Sequence, residues 1–278
     1  MTLPLSPLRS IFSAITVIGI LALSPGQAHS QPGIRLGPLL GYHLTLHTSG
    51  PLYTAGIDET LHYPANTNGG EMAGLSLQYL FDTTWSIGLE LAYNNLSGKK
   101  KNRIFLLSSP EGELYEIEYV FDTETDPDTL LPAGVFAPLN TIVYTTLSFG
   151  LCGQWRTSLD SSLRVGWQLG FFPHLVLARN SIEELRIESP DNARFFNAHG
   201  LPIENNGKER ILYDGTIPES SSYRFSVKGA LFAEIGDRES DVILMPGLYY
   251  EYGLTPVEPS SNWRIHSMGV QVALMFNL

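Results

Sequence analysis

A histidine and a serine stand two positions apart in the segment His47-Thr48-Ser49. At this spacing a histidine could act as general base on a hydroxyl nucleophile. Such a pair also needs an acidic side chain that orients the histidine, and the sequence assigns none. Because a spacing of two is common by chance, we expect no catalytic residue and predict that the chain is not an enzyme.

Carboxylates alternate in the segment 122–128, where Asp122, Glu124, Asp126 and Asp128 are spaced two apart. Oxygen ligands of this type suit Ca²⁺, but the segment lacks the turn glycine and the distal glutamate of a hand-type calcium loop. We interpret it as a solvated acidic loop. The sequence therefore predicts no metal site and no cofactor.

Charged residues recur at alternate positions of segments that are otherwise apolar or small. The set comprises Glu90, Arg164, Arg224, Lys228, Glu234 and Glu251. If these segments are strands of a barrel, the set faces the lumen, where charges are tolerated when they are paired. We predict a mutually paired polar network that fills the interior. The alternative is a narrow, gated ion path along the same side chains.

Strands must position these residues, and eight segments have the period of two that a strand requires. In the last of them Val270, Val272, Leu274 and Phe276 alternate with small or polar residues up to the carboxyl terminus. The eight segments are 34–47, 71–81, 85–94, 141–155, 162–177, 222–234, 241–254 and 269–278.

The links between these segments alternate in length. Short links follow the second, fourth and sixth segments, whereas longer ones follow the first, third and fifth. Short periplasmic turns and long outer loops give this pattern. The predicted fold class is all-β, an eight-stranded antiparallel transmembrane β-barrel with long outer loops and short periplasmic turns. A soluble β-sandwich or lipocalin-like barrel is the alternative, but those folds place the polar face outside.

Aromatic residues lie at both predicted membrane boundaries, as in the girdles of membrane barrels. The periplasmic set is Phe81, Trp85, Trp155 and Phe276, and the outer set is Tyr93, Tyr223, Tyr250 and Tyr252.

Residues 97–139 contain a second hairpin signal. The segments 103–107 and 113–121 alternate around Ser109-Pro110-Glu111-Gly112. If this hairpin entered the membrane, the barrel would have ten strands. Its first arm is shorter than the ~9 residues that a membrane strand needs, so eight strands are preferred.

The amino terminus has the features of a secretory leader. Arg9 precedes an apolar run over residues 11–23, and Ala28-His29-Ser30 forms a plausible cleavage site. The run is shorter than the ~20 residues of a spanning helix. We predict that residues 1–30 are a cleavable signal peptide and that residues 31–278 form a single outer-membrane β-barrel domain.

The amino-acid composition further limits the kinds of protein that this chain can be. The formal net charge of −11 argues against nucleic acid as a partner. Cys152 is the only cysteine, so no disulfide forms within the chain. Charged residues make up 16%, below the ~25% of ordinary soluble domains. These features suit an exported barrel of the bacterial outer membrane, which we expect to be a monomer.

Two early segments and the last strand carry a family resemblance. They are Gly37-Pro38-Leu39-Leu40-Gly41-Tyr42, Trp85-Ser86-Ile87-Gly88-Leu89-Glu90-Leu91 and the alternating carboxyl-terminal strand. Through these segments the chain resembles the small outer-membrane β-barrel proteins of Gram-negative bacteria, of the PorT-like or porin-family type. The resemblance covers nearly the whole mature chain. The resemblance implies an eight-stranded outer-membrane barrel and no catalytic residue. Some eight-stranded barrels deacylate lipid A, but their His-x-Ser pair lies late in the chain.

Three hypotheses of function follow. The leading one is a non-enzymatic outer-membrane barrel whose surface loops bind a partner or whose body supports envelope integrity. The alternatives are a small gated pore and a lipid A-modifying enzyme. Loops as long as 97–139 and 179–220 are usually functional, so we expect an extracellular or envelope partner there, and outer-membrane lipid around the barrel. The basic run Lys99-Lys100-Lys101 is interpreted as a solvated edge, with contact to lipid phosphates as the alternative.

Overall fold

Eight antiparallel strands form a closed ring in which each strand pairs with its neighbours in sequence. The computed structural model describes residues 33–48, 66–101, 104–106, 119–121, 134–189, 193–195, 202–237, 240–259 and 262–278. The ring consists of β1 (Ile34–His47), β2 (Asn66–Leu80), β3 (Trp85–Asn95), β4 (Gly134–Ser158), β5 (Leu163–Ser189), β6 (Tyr223–Ile235), β7 (Val242–Gly253) and β8 (Ile265–Asn277). Pairing of β1 with β8 closes it, with Leu40 opposite Val272.

The closure confirms the eight-stranded barrel, and the ten-stranded alternative is wrong. In the described part of the region 97–139, three short strands lie outside the ring, and two of them come from the predicted hairpin. Ile104–Leu106 pairs with the start of β4, and Tyr119–Phe121 pairs with Ala193–Phe195. They do not pair with each other, so they do not form the extra membrane hairpin.

The strands β4 and β5 are longer than their alternation predicts. They contain 25 and 27 residues. The predicted fourth segment begins only at residue 141, and the predicted fifth segment ends at residue 177. A β-bulge explains the difference on β5: Thr146 faces Val176 and Thr145 faces Ala178, so Leu177 is the extra residue. Below the bulge even-numbered residues of β5 face inward, and above it odd-numbered residues do. The alternation therefore changes phase although the strand continues.

Beyond the bulge, β4 and β5 leave the ring and form a second structure, which we call the outer sheet. Its centre is the hairpin of residues 134–145 and 178–189. The flanking strands are Gly98–Lys101 and Ile104–Leu106 beside β4, Glu209–Thr216 beside β5, and Ile203–Glu204 at the edge. A single 3-10 turn, Asn205–Gly207, joins the last two.

Two of the short turns at the opposite end are fixed by aspartates. The Asp82 carboxylate accepts the backbone N–H groups of Thr84 and Trp85, and Asp160 does the same for Ser162 and Leu163. These hydrogen bonds lower the pKa of both carboxyl groups. The same local motif therefore defines the entry to β3 and to β5.

The outer wall of the ring is apolar and its inner wall holds the charges. On β6, Leu231 is 66% exposed whereas Glu234 is fully buried. The exposed belt includes Leu40, Leu44, Ile87, Leu89, Phe149, Leu151, Trp167, Leu169, Phe171, Leu248, Val270 and Val272. The described residues contain no helix that is long and apolar enough to cross a membrane.

A closed barrel with such a belt is suited to lipid, because neighbouring strands pair all the way round the ring and leave no open sheet edge. The chain is an outer-membrane β-barrel, with its short turns on the periplasmic side and its long loops outside. Phe81 and Trp85 are exposed at the periplasmic boundary, and Tyr223, Tyr250 and Tyr252 at the outer boundary.

Candidate functional site

Three clusters of charged residues occupy the lumen, and the first lies at its periplasmic end. Glu234 on β6 is the centre of this periplasmic cluster. Arg35 Nη1 lies 3.2 Å from its Oε1, Arg164 Nε lies 3.0 Å from its Oε2, and Arg156 contacts Oε1 as well. Arg35 also donates from Nε to Asn277 Oδ1 at 2.9 Å. Four strands are thus joined through one carboxylate.

The second cluster lies at mid-height and crosses the lumen. Lys228 Nζ on β6 lies 2.7 Å from Glu90 Oε2 on β3. Gln168 Nε2 donates to the other oxygen, Glu90 Oε1, at 2.6 Å. The ammonium of Lys228 also lies 5.1 Å and 4.9 Å from the ring centroids of Phe172 and Tyr249. Charge pairing, hydrogen bonding and cation–π contacts all stabilise the buried ammonium.

The third cluster lies toward the outer mouth. Arg224 Nη1 lies 3.1 Å from Glu251 Oε1, and His174 Nε2 lies 3.2 Å from the same oxygen. Arg224 Nη2 also donates to the carbonyl oxygen of Ile265 at 2.7 Å. Ser226 Oγ is 2.7 Å from His174 Nε2. Serine and carboxylate thus meet the same imidazole nitrogen, so the three residues lack the arrangement of a catalytic triad.

Neutral side chains connect the lower two clusters. Gln154 Nε2 donates to Gln168 Oε1 at 3.0 Å, and Ser86 Oγ donates to Gln154 Oε1 at 2.9 Å. Arg156 contacts Ser86 as well as Glu234. Hydrogen bonds therefore run without a break from Lys228 to the periplasmic end of the lumen.

The structure places all six charged residues that the sequence singled out inside the lumen, each within reach of an opposite charge. Arg35, Arg156 and His174 join them in these clusters, and none of the three belongs to the predicted set of six. Arg156 was assigned to the turn after β4, but β4 runs to Ser158 and Arg156 follows Gln154 on the inward face. His174 lies within the predicted fifth segment, 162–177, but is not among the six predicted lumen residues. Continued alternation past Trp155 is the signal that identifies Arg156.

Part of the lumen is apolar, whereas the sequence prediction named only a paired polar network inside it. Buried apolar side chains from β1, β2, β6, β7 and β8 pack together there. They include Leu39, Met72, Phe232, Ile243, Met245 and Met275. The charged residues of the three clusters come from β1, β3, β4, β5, β6 and β7, so several strands contribute both charged and apolar side chains to the lumen. Core packing and ion pairing therefore both close the barrel.

The outer mouth is capped by a second apolar cluster. Ile217 and Val257 from the outer connections pack with Trp263, with Leu96 just after β3 and with Tyr144 of β4. Outer connections thus contribute directly to closing the lumen.

His47 lies under this cap and uses both ring nitrogens. Trp263 Nε1 donates to His47 Nδ1 at 3.3 Å, and His47 Nε2 lies 3.0 Å from the carbonyl oxygen of Leu96. Because an indole N–H only donates, Nδ1 is the acceptor and the proton is on Nε2. Neither nitrogen is free to accept a proton from a nucleophile. Ser49, the other member of the candidate pair, lies outside the described residues.

The structure describes little of two other segments that the sequence singled out, the acidic segment 122–128 and the basic run Lys99-Lys100-Lys101. The acidic segment 122–128 lies outside the described residues. Within the described ranges, no group of three or more His, Cys, Asp or Glu side chains could hold a metal ion. Lys99 lies on an outer-sheet strand, where it faces Thr141 of β4 and is exposed.

Comparisons with known proteins give distant likenesses. No protein-family model and no curated protein matches the sequence. Among solved structures, Neisserial surface protein A (NspA) has a TM-score of 0.40 and 9% identity, over 88% of this chain and 99% of that one. OprG, an outer membrane protein from Pseudomonas aeruginosa, has a TM-score of 0.39 and 11% identity, over 91% and 97%.

Ail, the attachment invasion locus protein of Yersinia pestis, has a TM-score of 0.28 and 8% identity, over 88% of this chain and 100% of that one. With identities and TM-scores this low, the likenesses support no inference about activity or partners.

Proposed function

We propose that this outer-membrane barrel is a non-enzymatic surface protein whose outer sheet binds a partner outside the cell. The observation that carries the proposal is the length of β4 and β5. They contain 25 and 27 residues, whereas the other six strands contain 11 to 15. The residues beyond the bulge extend on the order of 40 Å at ~3.3 Å per residue. A membrane anchor alone does not require this extension.

Contacts within the outer sheet support a recognition surface that is formed before binding. Each strand of the central hairpin is paired on both sides. Arg186 on β5 forms an ion pair with Glu209 on the flanking strand. Asn140, Ser181 and Glu183 are buried on its inner face. A surface that is already ordered loses little conformational entropy when a partner binds.

The lumen supports an anchoring role for the barrel body. Ion pairs, hydrogen bonds and buried apolar side chains occupy the described lumen, and a second apolar cluster lies toward its outer mouth. A gated pore is therefore the weaker alternative. The hypothesis of a lipid A-modifying enzyme is weaker still, because both ring nitrogens of His47 are engaged in hydrogen bonds.

The proposal includes the finer predictions from the sequence. Residues 1–30 are the leader, the mature chain begins near Gln31, and the barrel works as a monomer surrounded by outer-membrane lipid. The resemblance to PorT-like or porin-family barrels belongs to the proposal as well, since it implies the same architecture without a catalytic residue.

A pull-down on intact cells tests the partner. Wild-type protein is compared with a variant whose residues 179–220 are replaced by a short turn, and with a control whose periplasmic turn 159–162 is replaced. Migration of unboiled protein in a gel shows that each barrel is folded. We expect a surface partner with the wild type and the control but not with the 179–220 variant. Identical recovery from all three would contradict the proposal.

A further inference from the structure

Three buried arginines share one carboxylate in the periplasmic cluster. The side chains of Arg156 and Glu234 have no exposure, and those of Arg35 and Arg164 are only 5% and 4% exposed. A guanidinium remains protonated in proteins. The cluster therefore contains two positive charges more than its carboxylate neutralises.

Elsewhere in the lumen each buried cation has its own carboxylate. Lys228 is paired with Glu90, and Arg224 with Glu251. The other buried carboxylates of the described chain are Glu183 and Glu258. Both lie on the outer side, in the outer sheet and the last outer connection. The excess positive charge of the buried residues is thus confined to the periplasmic end, where exposed Asp82, in the turn before β3, also acts electrostatically on Arg156.

Donors of the periplasmic cluster also lack acceptors. In the described part of the chain, the buried Nε–H groups of Arg156 and Arg164 donate no hydrogen bond. Arg164 Nε is close to Glu234 Oε2, at 3.0 Å, but is not aimed at it. Unneutralised buried charge and unused donors are both unfavourable, so a complementary anion would stabilise this end of the barrel.

We propose that the periplasmic cluster binds a small inorganic oxyanion of the sulfate or phosphate class between Arg35 and Arg164. These two side chains approach opposite oxygens of Glu234 and retain the little exposure that the cluster has. Arg156 lies behind them with Glu234. A tetrahedral dianion matches the two excess charges, and its oxygens suit the planar guanidinium donors. The site is independent of the partner surface on the outer sheet.

Calorimetric titration tests the site directly. Sodium sulfate and sodium phosphate are titrated into the purified mature barrel in detergent, in chloride buffer of matched ionic strength. We expect saturable binding to the wild type, weakened about tenfold or more in Arg164→Gln because a charge-assisted hydrogen bond is removed. Arg264→Gln, at the outer rim, is the control and should bind as the wild type does. Absence of saturable binding to the wild type, or equal binding to Arg164→Gln, would overturn the proposal.

A second measurement applies if Arg164→Gln does not fold. The urea midpoint of the wild type should rise with millimolar sulfate and reach a plateau, because the anion binds the folded barrel alone. Arg35→Gln should show a smaller rise at each concentration. Equal midpoints in sulfate and chloride, or an unchanged rise in Arg35→Gln, would contradict an oxyanion site.

Discussion

Lys228 and Glu90 form an ion pair across the lumen, with Nζ and Oε2 2.7 Å apart although the two residues are 138 positions apart in sequence. They belong to β6 and β3, which are not neighbours in the ring. The residue opposite Lys228 on the adjacent strand β7 is Glu251, yet the ammonium contacts Glu90. The pair therefore joins two walls that no backbone hydrogen bond connects.

Replacing Lys228 by Met should destabilise the barrel by about 3–5 kcal/mol, because the Glu90 carboxylate then remains buried without a counter-charge. Urea unfolding of the purified barrel, followed by tryptophan fluorescence, measures the change. The double variant Lys228→Met/Glu90→Gln removes both charges and should recover most of the loss. If the double variant is no more stable than the single one, the cost comes from packing and not from the charge.

Arg224→Leu should lower stability by several kcal/mol, since Glu251 loses its permanent cation and the Ile265 carbonyl loses a donor. The same unfolding assay applies, with Arg264→Gln as a control for loss of an arginine outside the lumen. An unchanged urea midpoint for Arg224→Leu would show that this guanidinium does not serve the network.

Much of the ring could be predicted from the sequence, because inward and outward positions alternate strictly between lipid and lumen. The bounds of β1, Ile34–His47, follow from that alternation alone. The outer sheet could not be predicted in the same way. At Leu177 the bulge reverses which positions face inward, and beyond it the strand has no lipid-facing side that would keep an apolar period.

The charged residues of the lumen could largely be predicted from the alternation, but which of them pair with each other could not. Alternation identifies Glu90 and Lys228 as inward residues, but only the size and closure of the ring bring them together. Arg156 was missed because the turn was placed too early. Met275 and Leu39 show a further limit: an inward apolar residue looks in sequence like any alternating position, so the apolar part of the lumen was not recognised.

His47→Ala should leave the lipid A of producing cells unchanged. The imidazole already accepts from Trp263 and is bonded to the Leu96 carbonyl, so it has no nitrogen available for catalysis. Mass spectra of lipid A from wild-type and variant cells provide the check. A difference of one acyl chain between the spectra would establish an enzyme in place of a binding protein.

The periplasmic turn at Asp82 should add stability that depends on pH. The backbone N–H groups of Trp85 and Thr84 lower the pKa of its carboxyl group in the folded state. The stabilisation by Asp82 is therefore fully present above the pKa that its carboxyl group has in the unfolded chain. It is lost as the pH falls through the lower pKa of the folded state. Urea midpoints of wild type and Asp82→Ala should differ at neutral pH and converge in acid. Asp214→Ala, exposed on the outer sheet, is the matched control, and a difference for Asp82→Ala that persists in acid would contradict this role.

Conductance across a planar bilayer tests the closed barrel most directly. The purified mature protein is inserted into the bilayer, and a porin added afterwards shows that the bilayer can report channels. The ion pairs, the buried apolar side chains and the cap occupy the lumen, so we predict no steady conductance from this protein. A steady single-channel conductance would contradict the closed lumen and would establish the pore.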